Sequence, residues 1–488
     1  MAKIISDIFD LLSTNPEELT YVQDEATPEK LSILIEKNLK GFNILGEVIE
    51  ICKGPVFTIF KLRLAAGVSV RRISSLQNDL SRLLCVNYLR VIEHISGTPY
   101  AGIQILNPSR QLVCLRDTIG VVDESDSSSL NISLGVNVQG QPVIADLRHL
   151  SHLLIGGMSG AGKSVLLNSI ILSILTQATP DEVRFIIFDP RTVDFCIYNG
   201  IPHLLTPVVT DSQKSLTALR WLTTEMDSRF MLMSALGVDT ISQYNQIVEA
   251  AVDAGRPIPN PFLGINRNIP HAELTKFYEI VLVIDDFIDL LNQTENHVEE
   301  SLIRLVKKSH AVGIHIILST QRASTDIMSG HIKAIISARI SLTVTSKAES
   351  RNILNQNGAE ELFGEGDMLF ICPGLSQPLR VQGAFLNEHD LQRVTQYWKT
   401  QQNSQYIDEL QKDHVQRDSL DDDEIDPLFD EAVSFVIEKQ RVSISGIQRC
   451  FRIGYNRASR IVEQLEVMGI VSSQDHNGNR EVLAPPVK

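Results

Sequence analysis

The sequence has no C-x-x-C pair. Its six cysteines, Cys52, Cys85, Cys114, Cys196, Cys372 and Cys450, lie far apart, which argues against both a zinc site and a disulfide framework and fits a reducing cytosol. No apolar run approaches the roughly 18–20 residues that span a bilayer. The start, MAKIISDIFDLLSTNPEELT, is acidic and amphipathic; it lacks the basic region and continuous apolar core of a secretory signal, so a cytoplasmic location is expected. Positive charge is also scarce, with 44 Lys and Arg against 59 Asp and Glu and a net charge of -15. That balance argues against a uniformly basic, non-specific nucleic-acid binder and leaves room only for local contacts.

What is present is ordinary for folded protein: 43% hydrophobic and 21% charged residues over 488 positions. At roughly 100–200 residues per domain, about three domains are expected. Residues 1–28 read as a loosely structured leader. A small α+β domain over 29–130 follows. GFNILGEVIEICKGPVFTIFKLRLAAGVSV supplies its short strands, LSILIEKNL and ISSLQNDLSRLL its helices, and it closes near Asp123 before the polar DESDSSS. Over 131–400 the runs HLLIGG, VRFIIFD, EIVLVID, GIHIILST and ARISLTV alternate with helical segments. The fold class is therefore α/β, a mostly parallel sheet covered by helices. Residues 401–426 gather aspartates and read as an acidic, flexible tether; helices and a hairpin signal return over 427–488.

Within HLLIGGMSGAGKSVLLNSIILSIL, Gly157 is followed by four residues and then Gly162, Lys163 and Ser164. Such glycines let backbone N–H groups converge on phosphate, the helix N-terminus adds partial positive charge, the lysine reaches β/γ oxygens and the serine ligates Mg²⁺. The strand before and amphipathic helix after are the confirming context, so Gly157, Ser159, Gly160, Ala161, Gly162, Lys163, Ser164 and Val165 are the candidate ATP cradle. A glycine turn that binds nothing is the bland alternative. VLVIDDFIDLL ends a strand at two aspartates: Asp285 is placed to hold Mg²⁺ with Ser164, and Asp286 to polarise the attacking water, or else merely to cap the strand end. HIILSTQ ends at Thr320 and Gln321, candidate sensors of the γ-phosphate or plain loop hydrogen-bonders.

Near the C-terminus, no acidic residue interrupts Lys439, Arg441, Arg449, Arg452, Arg457 and Arg460. SISGIQRCFRIGYNRASRIVEQLEVMG fits helix, turn at Ile453-Gly454-Tyr455, and a second helix burying Ile461, Leu465 and Met468. Asn456, Arg457 and Arg460 would then project where a recognition helix meets base edges. QDHNGNREVL supplies the turn of a wing.

GMSGAGKS, VRFIIFDP through IPHLLTPVVTD and ALRW to LMSALGV, STQR, and GAEELFGEGDMLF together resemble the FtsK/SpoIIIE DNA translocases. The likeness reaches back through GPVFTIFKLRLAAGV and forward through DPLFDEAV. It implies an α domain, a RecA-like β motor domain and a tethered winged-helix γ domain, with a hexameric ring of the first two around double-stranded DNA. It also implies Arg322, Lys333, Lys347 and Arg351 as pore-lining DNA contacts, where a solvated basic face is the alternative. The γ domain of the family reads polarised DNA sequences and contacts the Xer recombinase, and G-Y-N-R-A-x-R in this chain resembles it; a protein-interaction module is the other reading.

Two positions depart from the family. Asp286 stands where members typically carry a catalytic glutamate, one methylene longer. His310 stands where they carry an arginine finger, the group inserted into a neighbour's site. A misplacement of about 1 Å can cost roughly a hundredfold, and imidazole lacks the permanent forked charge of guanidinium. The first expectation is an ATP-dependent, ring-forming DNA translocase of chromosome segregation and cell division, recruited to the division site or inner membrane by partners or by a missing N-terminal region. The alternative is a nucleotide-gated DNA-binding scaffold that hardly hydrolyses ATP. A small-molecule P-loop kinase leaves the tethered winged helix without a purpose.

Overall fold

The computed structural model describes residues 8–13, 27–95, 98–108, 111–119, 128–191, 194–262, 272–293, 296–321 and 330–411, and scattered positions between 428 and 471. It divides into two units, 1–412 and 413–488.

Helix α1 (Pro28–Gly41) begins on a proline, whose missing N–H is no loss in a first turn, and buries Leu31, Ile35 and Leu39 along one stripe. That stripe covers a four-stranded antiparallel sheet of order β1-β2-β4-β3: β1 (Gly46–Lys53), β2 (Phe57–Leu64), β3 (Leu89–Ile92) and β4 (Ala101–Leu106). Helix α2 (Gln77–Leu83) adds Leu80 to the same core.

The expectation of a loosely structured leader needs correction over 8–13. Ile8 and Leu12 are buried in the core of the larger domain, Ser13 donates both its N–H and its hydroxyl to Asp390, and Arg116 donates to the Leu12 carbonyl. Two apolar residues four apart found a surface to cover, and this outweighs the polar flanks. The helical turn Leu115–Ile119 joins that same core through Leu115 and Ile119. In packing terms the small domain therefore ends before Leu115 rather than near Asp123.

The larger domain is built on a nine-stranded sheet of order β6-β5-β13-β12-β11-β7-β10-β9-β8. Its strands are β5 (Asn131–Asn137), β6 (Pro142–Asp146), β7 (His152–Gly156), β8 (Val183–Phe188), β9 (Glu279–Ile284), β10 (Ile314–Thr320), β11 (Ala338–Leu342), β12 (Asp367–Ile371) and β13 (Leu379–Gln382). The runs expected as strands form the parallel half, β11, β7, β10, β9 and β8. The antiparallel extension through β12, β13, β5 and β6 was not expected from sequence; it is stitched by short strands with weak alternation. Alternate residues face opposite layers. Leu153 and Ile155 meet α3 (Lys163–Leu175), which is buried almost all round, while Leu154 faces the layer holding α4 (Ser212–Leu236), α5 (Ile241–Asp253) and α6 (Asn296–Lys308). Helix α7 (Lys347–Leu354) follows β11, and α8 (Glu388–Gln401) packs Val394 and Trp398 into the α3 side.

The tether expectation needs correction over 406–411. Tyr406 accepts the Gly200 N–H through its hydroxyl, Ile407 donates to the Leu205 carbonyl and Leu410 is buried, so the chain is docked there; the acidic run from Asp413 to Asp426 lies outside the described residues. Among the described residues, no helix is long and apolar enough to cross a membrane.

In the second unit, α9 (Ile444–Phe451) and helical positions 457–459, 461, 462 and 465 enclose Ala432, Val436, Ile447, Ala458, Ile461, Val462, Leu465 and Val471. Ile461 and Leu465 are buried as expected; Met468, Tyr455 and the wing segment lie outside the described residues.

Candidate nucleotide site

Strand β7 ends at Gly156, directly across from Thr320 at the end of β10, and β9 and β8 end in line beside them. The chain then loops through Gly157 to Gly162 and enters α3. Gly160 and Gly162 have φ of +77° and +108°, which only glycine adopts cheaply. A Cβ on Gly162 would also lie 3.1 Å from the Gly366 nitrogen. The loop is tied down on three sides: Gly157 N–H to the Thr320 carbonyl, Met158 N–H to the Thr343 carbonyl, and Gly366 N–H to the Ala161 carbonyl. Ser159, Gly160 and Val165 face solvent, and the first amides of α3 lack intrahelical partners by construction, which makes a cradle open to an anion.

Lys163 is 5% exposed. Its Nζ donates to the loop's own carbonyls, Gly157 at 2.8 Å and Met158 at 2.7 Å. Burial lowers its pKa to about 8, against the pull of Asp285 and Asp286, with Arg191 adding to the depression. The amine is therefore held by neutral acceptors alone and is ready to exchange them for a charged one.

Asp285 follows β9 and is buried; Ser319 donates its hydroxyl to Asp285 Oδ1. Burial raises its pKa, Ser319 opposes this, and the Asp189 charge adds to the rise. Asp286 is 1% exposed and has φ +50°, a left-handed conformation that Asp tolerates better than most residues. Its N–H donates to Ser319 Oγ at 3.2 Å. Arg191 donates to its Oδ2 and, at 3.3 Å, to Asp289 Oδ2. Among the described residues Asp286 Oδ1 is buried without a hydrogen bond, although the Gln321 amide lies near enough to favour the ionised form. Burial and the charges of Asp289 and Asp285 nevertheless raise its pKa, with Arg191 opposing.

These residues fit a magnesium nucleotide. Mg²⁺ binds through one or two carboxylates together with substrate phosphates. Ser164, half-buried in the first turn of α3, and Asp285 are the side chains at this edge with the right chemistry.

The structure thus brings together Lys163, Ser164, Asp285, Asp286, Thr320 and Gln321. It does not bring His310 to them. His310 is exposed on the short helical turn Ser309–Val312 that precedes β10, at the opposite end of the sheet, with about 20 Å of strand between. Its ring meets His152 edge to face at 6.1 Å, and burial and His315 lower its pKa.

Lys333, Lys347 and Arg351 share one surface. Lys333 Nζ donates to the Arg351 carbonyl at 3.5 Å, and Lys347 and Arg351 stand one turn apart and exposed on α7. Arg339, between them in sequence, is instead 7% exposed and donates to the carbonyls of Lys333, Ile336 and Ile353, pinning two helices together. Arg457 is exposed on its helical segment; Arg322, Asn456 and Arg460 lie outside the described residues.

Sequence reasoning missed Arg191, Asp189 and Ser319. Asp189 accepts N–H groups from Arg191, Asp194 and Phe195, shaping the loop that aims Arg191. A signal existed: F-D-P-R closes one strand as I-D-D-F closes its neighbour. The turn at Gly364, Glu365 and Gly366, all with positive φ, is legible in the sequence only through the family resemblance of GAEELFGEGDMLF.

Sequence profiles match along the chain: the FtsK alpha domain over residues 8–107, the FtsK/SpoIIIE family over 121–325 and the Ftsk gamma domain over 423–485. Relatives described as DNA translocase FtsK are 45% identical over 481 residues in Vibrio vulnificus strain CMCP6 and 46% in Vibrio parahaemolyticus, covering 96% of this chain and 49% and 47% of theirs. The Shewanella oneidensis relative is 44% identical, with 97% of this chain and 52% of that protein covered. The chain spans about half the length of these curated relatives. Among solved structures, the pCW3 conjugation coupling protein TcpA, a monomer form with ATPgS, has a TM-score of 0.51 at 17% identity, covering 76% of this chain and 100% of that one; this likeness concerns the fold alone. With a P-loop ATPase fold in its larger domain and matching profiles before, within and after it, the chain belongs to the FtsK/SpoIIIE family.

Proposed function

We propose that this chain is an ATP-dependent translocase of double-stranded DNA that works as a ring, hexameric by family likeness, during chromosome segregation and cell division. The observation that carries the reading is the shared strand edge: the buried Lys163 amine and the buried Asp286 carboxylate, whose Oδ1 lacks a hydrogen bond among the described residues, lie at the same edge as an open phosphate cradle. Lys163 gives up the Gly157 and Met158 carbonyls for β/γ-phosphate oxygens. Ser164 and Asp285 would hold Mg²⁺, which when bound would supply charge neutralisation at the phosphates. Asp286 takes the proton of the attacking water, and Thr320 and Gln321 sense the γ-phosphate. His310, at the far edge, reaches a neighbouring subunit's site. Lys333, Lys347 and Arg351, together with Arg322, touch the DNA backbone, which gives sequence-independent affinity. The C-terminal unit is a winged helix that reads DNA polarity through Asn456, Arg457 and Arg460 and meets a Xer-type recombinase. The protein acts in the cytoplasm, brought to the division site by partners. The relatives' description as DNA translocases supports this reading.

The scaffold reading stands on the two departures from the family, Asp286 in place of the glutamate and His310 in place of the arginine finger. Steady-state ATPase with and without long duplex DNA separates the two, for the unmodified chain and for Asp286→Glu combined with His310→Arg. Strong DNA-stimulated turnover in the unmodified chain removes the scaffold. No turnover, restored by the double change, removes the motor.

A further inference from the structure

We infer that Arg191 is a positioning residue for hydrolysis: it holds one oxygen of Asp286 so that the other faces the nucleotide cradle, compensating for the short side chain. This role rests on the ATPase reading above. Three observations converge on it. Arg191 donates from the same nitrogen, Nη2, to Asp286 Oδ2 and to Asp289 Oδ2, so one end of the guanidinium bridges two carboxylates beyond the end of β9. Asp286 Oδ1 is left buried without a hydrogen bond among the described residues, which is costly unless a further donor arrives. And the loop carrying Arg191 is itself built: buried Asp189 accepts the Arg191, Asp194 and Phe195 N–H groups at 3.1–3.2 Å.

The logic is that of a base steadied by a third group. Asp286 has few ways to reach a water in the cradle, because its backbone is already turned to φ +50° and its N–H is fixed to Ser319. The remaining freedom is rotation about the two side-chain bonds, and the contact with Arg191 restricts it. A carboxylate free to rotate presents Oδ1 correctly only part of the time, and errors of about 1 Å in such groups cost roughly a hundredfold in rate. Arg191 is half-exposed, with 40% of its side chain accessible, so it is replaceable without emptying the core.

The test uses the whole chain and five proteins: unmodified, Arg191→Ala, Arg191→Lys, Arg191→Ala in an Asp286→Glu background, and Asp286→Glu alone as the reference for that background. DNA-stimulated turnover, KM for ATP, affinity for a fluorescent ATP analogue, and melting temperature without nucleotide are measured for each. The expected result is a turnover loss of about tenfold to a hundredfold in Arg191→Ala, with KM and affinity moving less than about threefold. Arg191→Lys should recover part of that loss, since a lysine supplies the charge without the fork. In the glutamate background, where the longer side chain reaches further, the penalty for losing Arg191 should shrink at least about threefold. Arg191→Ala should also lower the melting temperature, because a buried carboxylate loses its partner. Turnover within twofold of the unmodified chain in Arg191→Ala overturns the inference. So does an equal penalty in both backgrounds, or a loss that appears in affinity instead of turnover. An unmodified chain that binds the analogue but never turns over withdraws the ATPase reading itself, and the role of Arg191 with it.

Discussion

The two ends of the parallel strands solve opposite problems with similar materials. At the end where β7, β9 and β10 finish, Lys163 and Asp286 are buried with chemistry to spare: the lysine rests on carbonyls and one aspartate oxygen has no hydrogen bond among the described residues. At the end where these strands begin, His152 is buried with both ring nitrogens engaged, Nε2 with the Val306 carbonyl and Nδ1 accepting the Ile316 N–H. Burial depresses both cations, Lys163 to about 8 and His152 to about 3. Only the lysine has carboxylates nearby to draw it back. Burial that is fully satisfied makes a strut, whereas burial left incomplete makes a site.

The strongest way to break this contrast is Asp286→Asn. DNA-stimulated turnover should fall about 10²- to 10⁴-fold, the usual worth of a general base, with little change in nucleotide affinity. Turnover that survives would make the orphaned oxygen a packing accident. Next is Lys163→Ala, expected to weaken binding of an ATP analogue by about 10- to 100-fold, the loss of charged hydrogen bonds; titration by fluorescence checks it, and unchanged affinity would empty the cradle of its purpose. His310→Ala probes the opposite edge. Nucleotide affinity of dilute protein should stay within twofold, since the residue is remote from its own cradle, while turnover of the DNA-bound assembly should drop about tenfold if it serves a neighbour. A change in affinity without assembly would contradict the position of the residue.

The smallest effect is on acid stability. Burial lowers the pKa of His152 and His203 from the ordinary 6.5 to about 3 in the folded protein. Below pH 6.5 the unfolded chain binds protons that these rings refuse, so stability present above 6.5 is lost as pH falls towards 3, by about 1.4 kcal/mol per unit and group at most. Melting temperatures between pH 7 and 5 should decline, and should decline less in His203→Gln. A flat profile would mean the rings are not held neutral.

Much of this was legible beforehand because it is local. Gly157, Gly162 and Lys163 are recognisable by spacing, and the five parallel strands by their aliphatic runs, since phosphate cradles and buried strands need those residues wherever they occur. The leader and the tether were misjudged because polar flanks hid short apolar pairs, Ile8 with Leu12 and Ile407 with Leu410, whose value appears only against a surface to bury them. Nothing in the immediate neighbours of Arg191 singles it out, because its partner lies 95 positions away; only the matching strand-end positions of F-D-P-R and I-D-D-F point to it.

Sequence alone determined the five parallel strands, the phosphate loop and the family, because backbone conformation and hydrophobic periodicity are properties of neighbouring residues. Tertiary structure alone decided that Asp286 adopts a left-handed turn held by Ser319 and Arg191, and that His310 stands a full strand length from the cradle. Those facts depend on which strand ends lie side by side, and that order is set by packing across the sheet rather than by succession along the chain.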